Sequence, residues 1–139
     1  MARAALATPV RVVLGDCHEV FAHGLRRHLG HGQGFKVVGR ASDGVELVAM
    51  AADLQPDLVL IDAELPGVGS VEATRRIREA DPAVAVLIMT SPESRLDYAR
   101  AEEAGAAGFL RKDIFAERFV TAIPAVSAVV SAFAEIPTL

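Results

Sequence analysis

The sequence predicts an α/β fold, a doubly wound five-stranded parallel sheet with strand order 2-1-3-4-5. β-like runs alternate with helix-like stretches, and the third and fourth runs are nearly continuous in Val, Leu and Ile, as in strands covered on both faces. Because parallel strands need right-handed crossovers, the alternation favours helices on both sides of the sheet. The predicted strands are Val10–Gly15, Phe35–Ala41, Asp57–Ile61, Ala83–Met89 and Gly108–Leu110.

Strand composition predicts which strands lie at the edge. The second strand contains Lys36 and Arg40 and is polar enough for an edge position, whereas the first, third and fourth strands are apolar. The strand order therefore reverses between the first and third strands.

The stretches between the strands carry apolar residues at the 3.6-residue helical period. The residues predicted to form buried helix faces are Val20, Phe21, Leu25 and Leu29 in the first helix and Val71, Thr74 and Ile77 in the third. Local signals predict the helix ends. These signals are Ser42, Ser70 and Ser91 as N-caps, Pro92 at a first helical position, and Gly105 closing the fourth helix.

Composition limits the function classes. The 139 residues are 52% hydrophobic and 23% charged, which is typical of one globular domain. A net charge of −4 with dispersed arginines argues against nucleic-acid binding by this chain. The single cysteine excludes an intramolecular disulfide and agrees with a reducing compartment, so we expect a cytoplasmic protein. The longest uncharged run, 119–134, is shorter than the roughly 20 residues of a membrane span.

Three segments are predicted. Residues 1–8 form a loose leader that is too short and interrupted for a signal peptide, and residues 9–123 carry the alternating pattern. Residues 124–139 form a helical extension or linker, because Pro124 interrupts the preceding helix. No helix-turn-helix fits in this last segment, so we expect any effector domain to be absent from this chain.

Polar residues follow four of the predicted strands. Asp16 and Cys17 follow the first strand, Asp62 the third, Thr90 the fourth and Lys112 the fifth. In a doubly wound sheet these strand ends meet at one mouth, where ligands bind. Two adjacent carboxylates favour a hard cation such as Mg²⁺ between them. Thr90 and Lys112 would hold phosphoryl oxygens, with Asp62 as the nucleophile.

These segments resemble the receiver domains of two-component response regulators. They are Val12–His18, Pro56–Asp62 followed by Leu65–Gly67, Ile88–Thr90 and Ala104–Asp113. The resemblance spans residues 10 to about 123, and His18 and Asp113 give it the character of the NarL/FixJ group. It implies a flavodoxin-like receiver fold and a phosphoacceptor rather than a turnover enzyme. The phosphoryl group would come from a sensor histidine kinase or a small phosphodonor and would control dimerisation and, through an effector domain, transcription.

The resemblance also implies a role for each matching residue. The implied site consists of the phosphoacceptor Asp62, the Mg²⁺ ligands Asp16, Asp62 and Glu64 (through its backbone carbonyl), and the phosphoryl-binding and switch residues Thr90, Lys112 and Phe109.

Cys17 departs from the family pattern, in which two adjacent acids end the first strand and the second binds the metal. A neutral thiol is a poor ligand for Mg²⁺, so we expect weakened metal binding. Glu19 is expected to point outward and not to replace the missing acid. Cys17 itself is interpreted as a small, partly buried residue rather than a redox sensor.

Two alternatives remain open. The chain could be an atypical receiver that works without phosphorylation, as a ligand-responsive or constitutive dimerisation module. Aspartate-nucleophile phosphatases also use a strand-end Asp, but typically place a second Asp two residues later, where this chain has Glu64. Repeated turnover of phosphate esters would identify a phosphatase.

The spacing of the four histidines argues against a metal site on one helix face. Solvated or capping roles are therefore expected for His18, His23, His28 and His31.

The stretch 125–134 is uncharged and carries Val126, Val130 and Phe133 at helical spacing, and the core has no obvious room for it. We therefore expect a homodimer formed through this segment or through the predicted fifth helix, whose apolar face consists of Phe115, Phe119, Ala122 and Ile123.

Overall fold

Strands and helices alternate through the chain as predicted. The structure, a computed structural model, describes residues 9–30, 34–113, 126 and 128–132. The predicted leader, the fifth helix with Pro124, His31 and Phe133 lie outside these residues. The elements are β1 (Val10–Gly15), α1 (Glu19–Gly30), β2 (Phe35–Ala41), α2 (Gly44–Leu54), β3 (Leu58–Asp62), α3 (Ser70–Ala80), β4 (Ala85–Thr90), α4 (Tyr98–Ala104) and β5 (Gly108–Arg111).

The five strands form one parallel sheet in the order β2-β1-β3-β4-β5, which confirms the predicted fold class and the edge position of β2. Two strands begin later than predicted. Asp57 precedes β3 because its carboxylate accepts a hydrogen bond from the Arg11 amide at 2.9 Å. Ala83 precedes β4 because its amide donates to the Asp81 side chain in a turn.

The core lies on both faces of the sheet because alternate strand residues point in opposite directions. On one face Leu58, Leu60 and Met89 pack with Leu25 and Leu29 of α1. On the other face the intervening strand residues pack with α2, α3 and α4. Buried members of this second cluster include Val59, Ile61, Ile88, Leu47, Ala73, Ile77 and Ala101. Continuous apolar strands thus mark two-sided burial, as predicted.

Helix faces follow the predicted period with one correction. Leu25, Leu29, Thr74 and Ile77 are buried, but Val20 is 88% exposed, because it lies in the first turn of α1 on the solvent side. None of the helices in the described ranges has the length and apolar character that crossing a lipid bilayer requires.

Three predicted N-caps are wrong. Asp43, not Ser42, caps α2 by accepting a hydrogen bond from the Glu46 amide. Gly69 precedes α3 without a side-chain cap, while Ser70 Oγ donates to the Ala63 carbonyl. The segment after Ser91-Pro92 is a turn, and α4 begins only at Tyr98 with Asp97 as its cap. In α2 and α4 the residue directly before the helix is an aspartate, and its carboxylate accepts a hydrogen bond from an amide of the first turn.

Gly105 ends α4 as predicted. Its φ of 110° lies in the left-handed region that favours glycine, and its amide bonds to carbonyls of the last turn. Arg78 of α3 packs beside it and donates to the backbone carbonyls of Gly105, Pro82 and Val84. Burial lowers the pKa of the Arg78 guanidinium, and Asp81 partly opposes that shift. This arginine ties α3 to the start of β4 and the end of α4.

The C-terminal segment corrects another expectation. Val126 and Val130 are 4% and 5% exposed and belong to the same core cluster as Val10, Leu29 and Phe35. The expectation that the core has no room for this segment is therefore wrong, because the α1 face of the sheet accommodates it. These two side chains are already buried within the chain and leave no apolar surface of their own for a partner.

Candidate functional site

Asp16 lies directly after β1, in the short connection to α1. Its amide donates to the Ala41 carbonyl of β2, and its Oδ1 accepts a hydrogen bond from the His18 amide at 2.8 Å. Arg40 donates to its backbone carbonyl. The side chain is only 1% exposed, so a carboxylate is held in the interior at the carboxyl edge of the sheet.

Asp62 is the last residue of β3 and is 2% exposed. Its Oδ1 accepts a hydrogen bond from the Glu64 amide at 3.0 Å, and its backbone carbonyl accepts one from Leu65. The following turn needs glycine at Gly67, where φ is 91° and an added Cβ would lie 3.1 Å from the Gly44 amide nitrogen. This turn orients Asp62 beside Asp16 across the point where the strand order reverses.

Lys112 bridges the two buried carboxylates. It follows β5, and its Nζ lies 2.8 Å from Asp16 Oδ2 and 3.0 Å from Asp62 Oδ2, with the side chain 13% exposed. The same ammonium lies 4.3 Å from the centre of the Phe21 ring, a cation–π contact from α1. The structure therefore brings together Asp16, Asp62 and Lys112, although they are separated by up to 96 positions in the sequence.

His18 belongs to the same pocket, contrary to the expectation of a merely solvated or capping histidine. Its Nδ1 lies 3.1 Å from Asp16 Oδ1, 3.2 Å from Asp62 Oδ2 and 3.2 Å from Lys112 Nζ, although its side chain is 60% exposed. His23 and His28 are exposed on α1, as expected. The sequence does contain a signal for this placement. His18 comes only two residues after the strand-end Asp16, so it lies at the carboxyl edge of the sheet and not within the helix.

Cys17 is exposed, so the expectation of a partly buried residue is wrong. Asp16, Cys17 and His18 nevertheless form a group whose potential ligand atoms lie within 4.8 Å of one another. Glu19 is exposed at the start of α1, as expected for a side chain that does not replace the missing acid.

The side chains present do not provide a complete Mg²⁺ site. Mg²⁺ prefers oxygen ligands in near-octahedral geometry, and Asp16 and Asp62 supply carboxylates. The position next to Asp16 supplies the thiol of Cys17 instead of a third carboxylate, and the Lys112 ammonium occupies the space between the two acids. The pocket therefore offers Mg²⁺ two side-chain carboxylates, and Lys112 contacts both of them.

Thr90 and Phe109 lie on the neighbouring strands β4 and β5. Thr90 ends β4, is 3% exposed, and its hydroxyl lies 3.5 Å from the Leu110 carbonyl of β5, at the limit of a hydrogen bond. Phe109 is partly buried, and its ring packs edge to face with Tyr98 of α4, with the ring centres 4.7 Å apart. The Thr90 hydroxyl therefore connects β4 to β5, and the Phe109 ring connects β5 to α4.

The arrangement places a buried strand-end carboxylate beside a fixed positive charge. Two buried carboxylates, one ammonium and one imidazole are held by main-chain hydrogen bonds at the ends of parallel strands, with exposed Cys17 and His18 on the solvent side. Preorganised charges of this kind serve phosphoryl transfer, which depends mainly on positioning and charge stabilisation.

Comparison with known proteins points to one family. Residues 12–124 match the family described as the response regulator receiver domain. The chain is 36% identical over 114 residues to response regulator GacA of Pseudomonas aeruginosa, covering 82% of this chain and 53% of that protein. It is 38% identical over 117 residues to response regulator UvrY of Escherichia coli K12, covering 84% and 54%. The chain thus spans about half the length of the curated relatives it matches.

Solved structures show the same fold. A LuxR-family two-component response regulator from Aurantimonas sp. SI85-9A1 superposes with a TM-score of 0.76 at 36% identity, covering 87% of this chain and 86% of that one. The receiver domain of the putative response regulator NarL from Mycobacterium tuberculosis gives a TM-score of 0.76 at 31% identity, covering 86% and 97%.

Proposed function

This chain belongs to the family of response-regulator receiver domains, and from that premise we propose that it accepts a phosphoryl group on Asp62. The donor is a sensor histidine kinase or a small phosphodonor. The observation that carries the proposal is the contact of one ammonium, Lys112 Nζ, with the buried carboxylates of both Asp16 and Asp62. A strand-end carboxylate beside a fixed positive charge is suited to attack phosphorus.

The residues of the pocket have different parts in the proposed transfer. A carboxylate oxygen of Asp62 forms a bond to phosphorus while the bond from phosphorus to the donor breaks. A histidine donor takes up a proton on the nitrogen that leaves, and an acyl phosphate donor leaves as a carboxylate anion. Lys112 balances the charge of the incoming phosphoryl oxygens. The Thr90 hydroxyl, now directed to Leu110, turns toward the phosphoryl group, and Phe109 changes rotamer with it. Asp62 is itself consumed, so the chain is not a turnover enzyme.

The contribution of Mg²⁺ is proposed to be weak. The carboxylates of Asp16 and Asp62 are oxygen donors, and the family resemblance adds the backbone carbonyl of Glu64, but the thiol of Cys17 replaces a carboxylate. We expect phosphorylation of the native chain to need more Mg²⁺ than phosphorylation of a Cys17→Asp variant, which restores the hard ligand.

Phosphodonor labelling tests the proposal. The chain is incubated with acetyl phosphate or phosphoramidate over a Mg²⁺ series, and intact mass is recorded. We expect one added phosphoryl group on the native chain, none on Asp62→Asn, and normal labelling of Asp53→Asn, a control at an exposed aspartate on α2. Absence of added mass at every Mg²⁺ concentration, or labelling that survives Asp62→Asn, would contradict the assignment.

The other functions weighed from the sequence become outcomes of the same experiments. If no phosphoryl group is added and the chain is dimeric by light scattering, it is a phosphorylation-independent dimerisation module. If it hydrolyses phosphate esters through many cycles, it is a phosphatase.

The partners follow from the same proposal. The chain acts in the cytoplasm, where reducing conditions keep Cys17 as a thiol. Phosphorylation controls homodimerisation and, through an effector domain, transcription, while this chain makes no direct contact with nucleic acid. The proposed dimer surface is the predicted fifth helix or the segment after it, and Val126 and Val130 of that segment are buried within the chain and do not contribute to it. Light scattering with and without phosphodonor measures the change in mass, and an unchanged monomeric mass would contradict dimerisation.

A further inference from the structure

The pocket beside Asp62 also carries the thiol of Cys17 and the imidazole of His18, to which the proposed phosphoryl transfer assigns no role. Asp16, Cys17 and His18 are consecutive, and a carboxylate oxygen, a thiol sulfur and an imidazole nitrogen lie within 4.8 Å of one another. We propose that this set binds a borderline or soft divalent cation of the Zn²⁺ and Co²⁺ class in preference to Mg²⁺. The inference deepens the proposed function, on which it rests for the role of Asp62.

The chemistry of the three donors favours such a cation. Thiolate and imidazole are ligands of Zn²⁺ and its neighbours, whereas Mg²⁺ takes oxygen ligands. The presence of Cys17 in place of an acid therefore weakens Mg²⁺ binding and also changes which ion the pocket prefers. When the ion binds, the Cys17 thiol releases its proton to solvent and the sulfur bonds to the metal.

The geometry is close to that of a four-coordinate site. Ligand atoms on one tetrahedral Zn²⁺ are roughly 3.3–3.8 Å apart, given bonds of about 2.0–2.3 Å. The Nδ1 of His18 already lies 3.1 Å from Asp16 Oδ1 and 3.2 Å from Asp62 Oδ2, so Asp62 supplies a fourth donor. The 4.8 Å spread within the Asp16–Cys17–His18 group closes by rotation of the exposed Cys17 side chain and by release of the His18 ring from Lys112.

The ligand atoms combine buried carboxylates with side chains that solvent can reach, as a metal site requires. Asp16 and Asp62 lie at the bottom with side-chain exposures of 1% and 3%, while Cys17 and His18 face solvent, which leaves an entry path. Lys112 Nζ lies 3.2 Å from His18 Nδ1 and contacts both carboxylates. The cation must displace this ammonium, so metal binding and the lysine bridge compete for the same oxygens.

Metal titration of the unphosphorylated chain tests the inference without any measurement of activity. Co²⁺ is added and the near-ultraviolet absorption is recorded, since a Co²⁺–thiolate bond gives a charge-transfer band there. Zn²⁺ and Mg²⁺ affinities are measured by calorimetry. We expect a band in the native chain that is absent from Cys17→Ser and Cys17→Asp, and a Zn²⁺-to-Mg²⁺ affinity ratio that falls in Cys17→Asp by more than about tenfold, since even outer-sphere changes cost that much.

His18 is tested with a matched pair. His18→Asn is expected to weaken Zn²⁺ binding by more than about tenfold, and His23→Asn, at an exposed histidine of the same helix, is expected to leave it unchanged. The inference is overturned if the native chain gives no Co²⁺ band, if Cys17→Asp keeps the native ion preference, or if the two histidine variants behave alike. Labelling of Asp62 without a Co²⁺ band would refute only this inference, whereas a Co²⁺ band without labelling would refute only the phosphoacceptor role.

Discussion

Lys112→Met removes the single ammonium that holds Asp16 and Asp62 together. Both carboxylates are almost fully buried, and their Oδ2 atoms lie 2.8 and 3.0 Å from Nζ, so they can be no farther apart than the sum of these distances. Two charges about 4–5 Å apart repel by roughly 4 kcal/mol at an effective dielectric constant of 20. Removing one partner of a buried ion pair costs a similar amount, about 3–5 kcal/mol.

We therefore expect Lys112→Met to lower the free energy of unfolding by about 3–4 kcal/mol, a large part of the roughly 5–15 kcal/mol typical of a domain. Urea unfolding followed by far-ultraviolet circular dichroism measures it, because the chain has no tryptophan and one tyrosine. The matched control is Arg111→Met at the preceding position. Its salt bridge with Asp113 joins side chains 52% and 48% exposed, and losing it should cost less than about 1 kcal/mol.

A double-mutant cycle tests the cause of the loss. In the Lys112→Met background, Asp62→Asn leaves only one unpaired buried carboxylate and should restore about 2 kcal/mol. A loss below about 1 kcal/mol for Lys112→Met, or strictly additive effects of the two substitutions, would refute the reasoning that the lysine compensates mutual repulsion.

Three further predictions concern the fold. Leu47→Ala leaves a cavity at a fully buried position and should lower the free energy of unfolding, measured in urea, by about 2–5 kcal/mol. Val20→Ala, at an 88% exposed position, should change it by less than about 0.5 kcal/mol. Equal effects of the two substitutions would refute the assigned helix faces. Gly105→Ala should cost about 1–3 kcal/mol, since φ is 110° and the new Cβ would lie 2.9 Å from Arg78 Cγ; unchanged stability would contradict the tight helix end. Val130→Ala should lower stability by about 2 kcal/mol at any protein concentration, and a loss that appears only in dilute samples would mean that this side chain packs on a second subunit.

Much of the site could be predicted because strand ends are readable in the sequence. The apolar runs before Asp62 and Thr90 mark buried parallel strands, and the carboxyl ends of such strands meet at one edge whatever the details of packing. The convergence of Asp16, Asp62 and Lys112 therefore follows from element order and periodicity. The absence of a second acid at Cys17 is likewise visible without a structure.

Side-chain direction and local competition for hydrogen bonds were decided only by the tertiary structure. The spacing of the histidines predicted a solvated His18, and the structure adds that its ring, although 60% exposed, contacts both buried carboxylates. The N-cap of α2 is Asp43 and not Ser42, because the helix begins one residue later than composition predicts. Val126 and Val130 could pack on the core of this chain or on that of a partner. Which of the two occurs depends on the space beside α1, and that space exists only once the sheet and the helix have packed. Element order and strand-end chemistry are local in the chain, whereas these contacts depend on residues brought together only by folding.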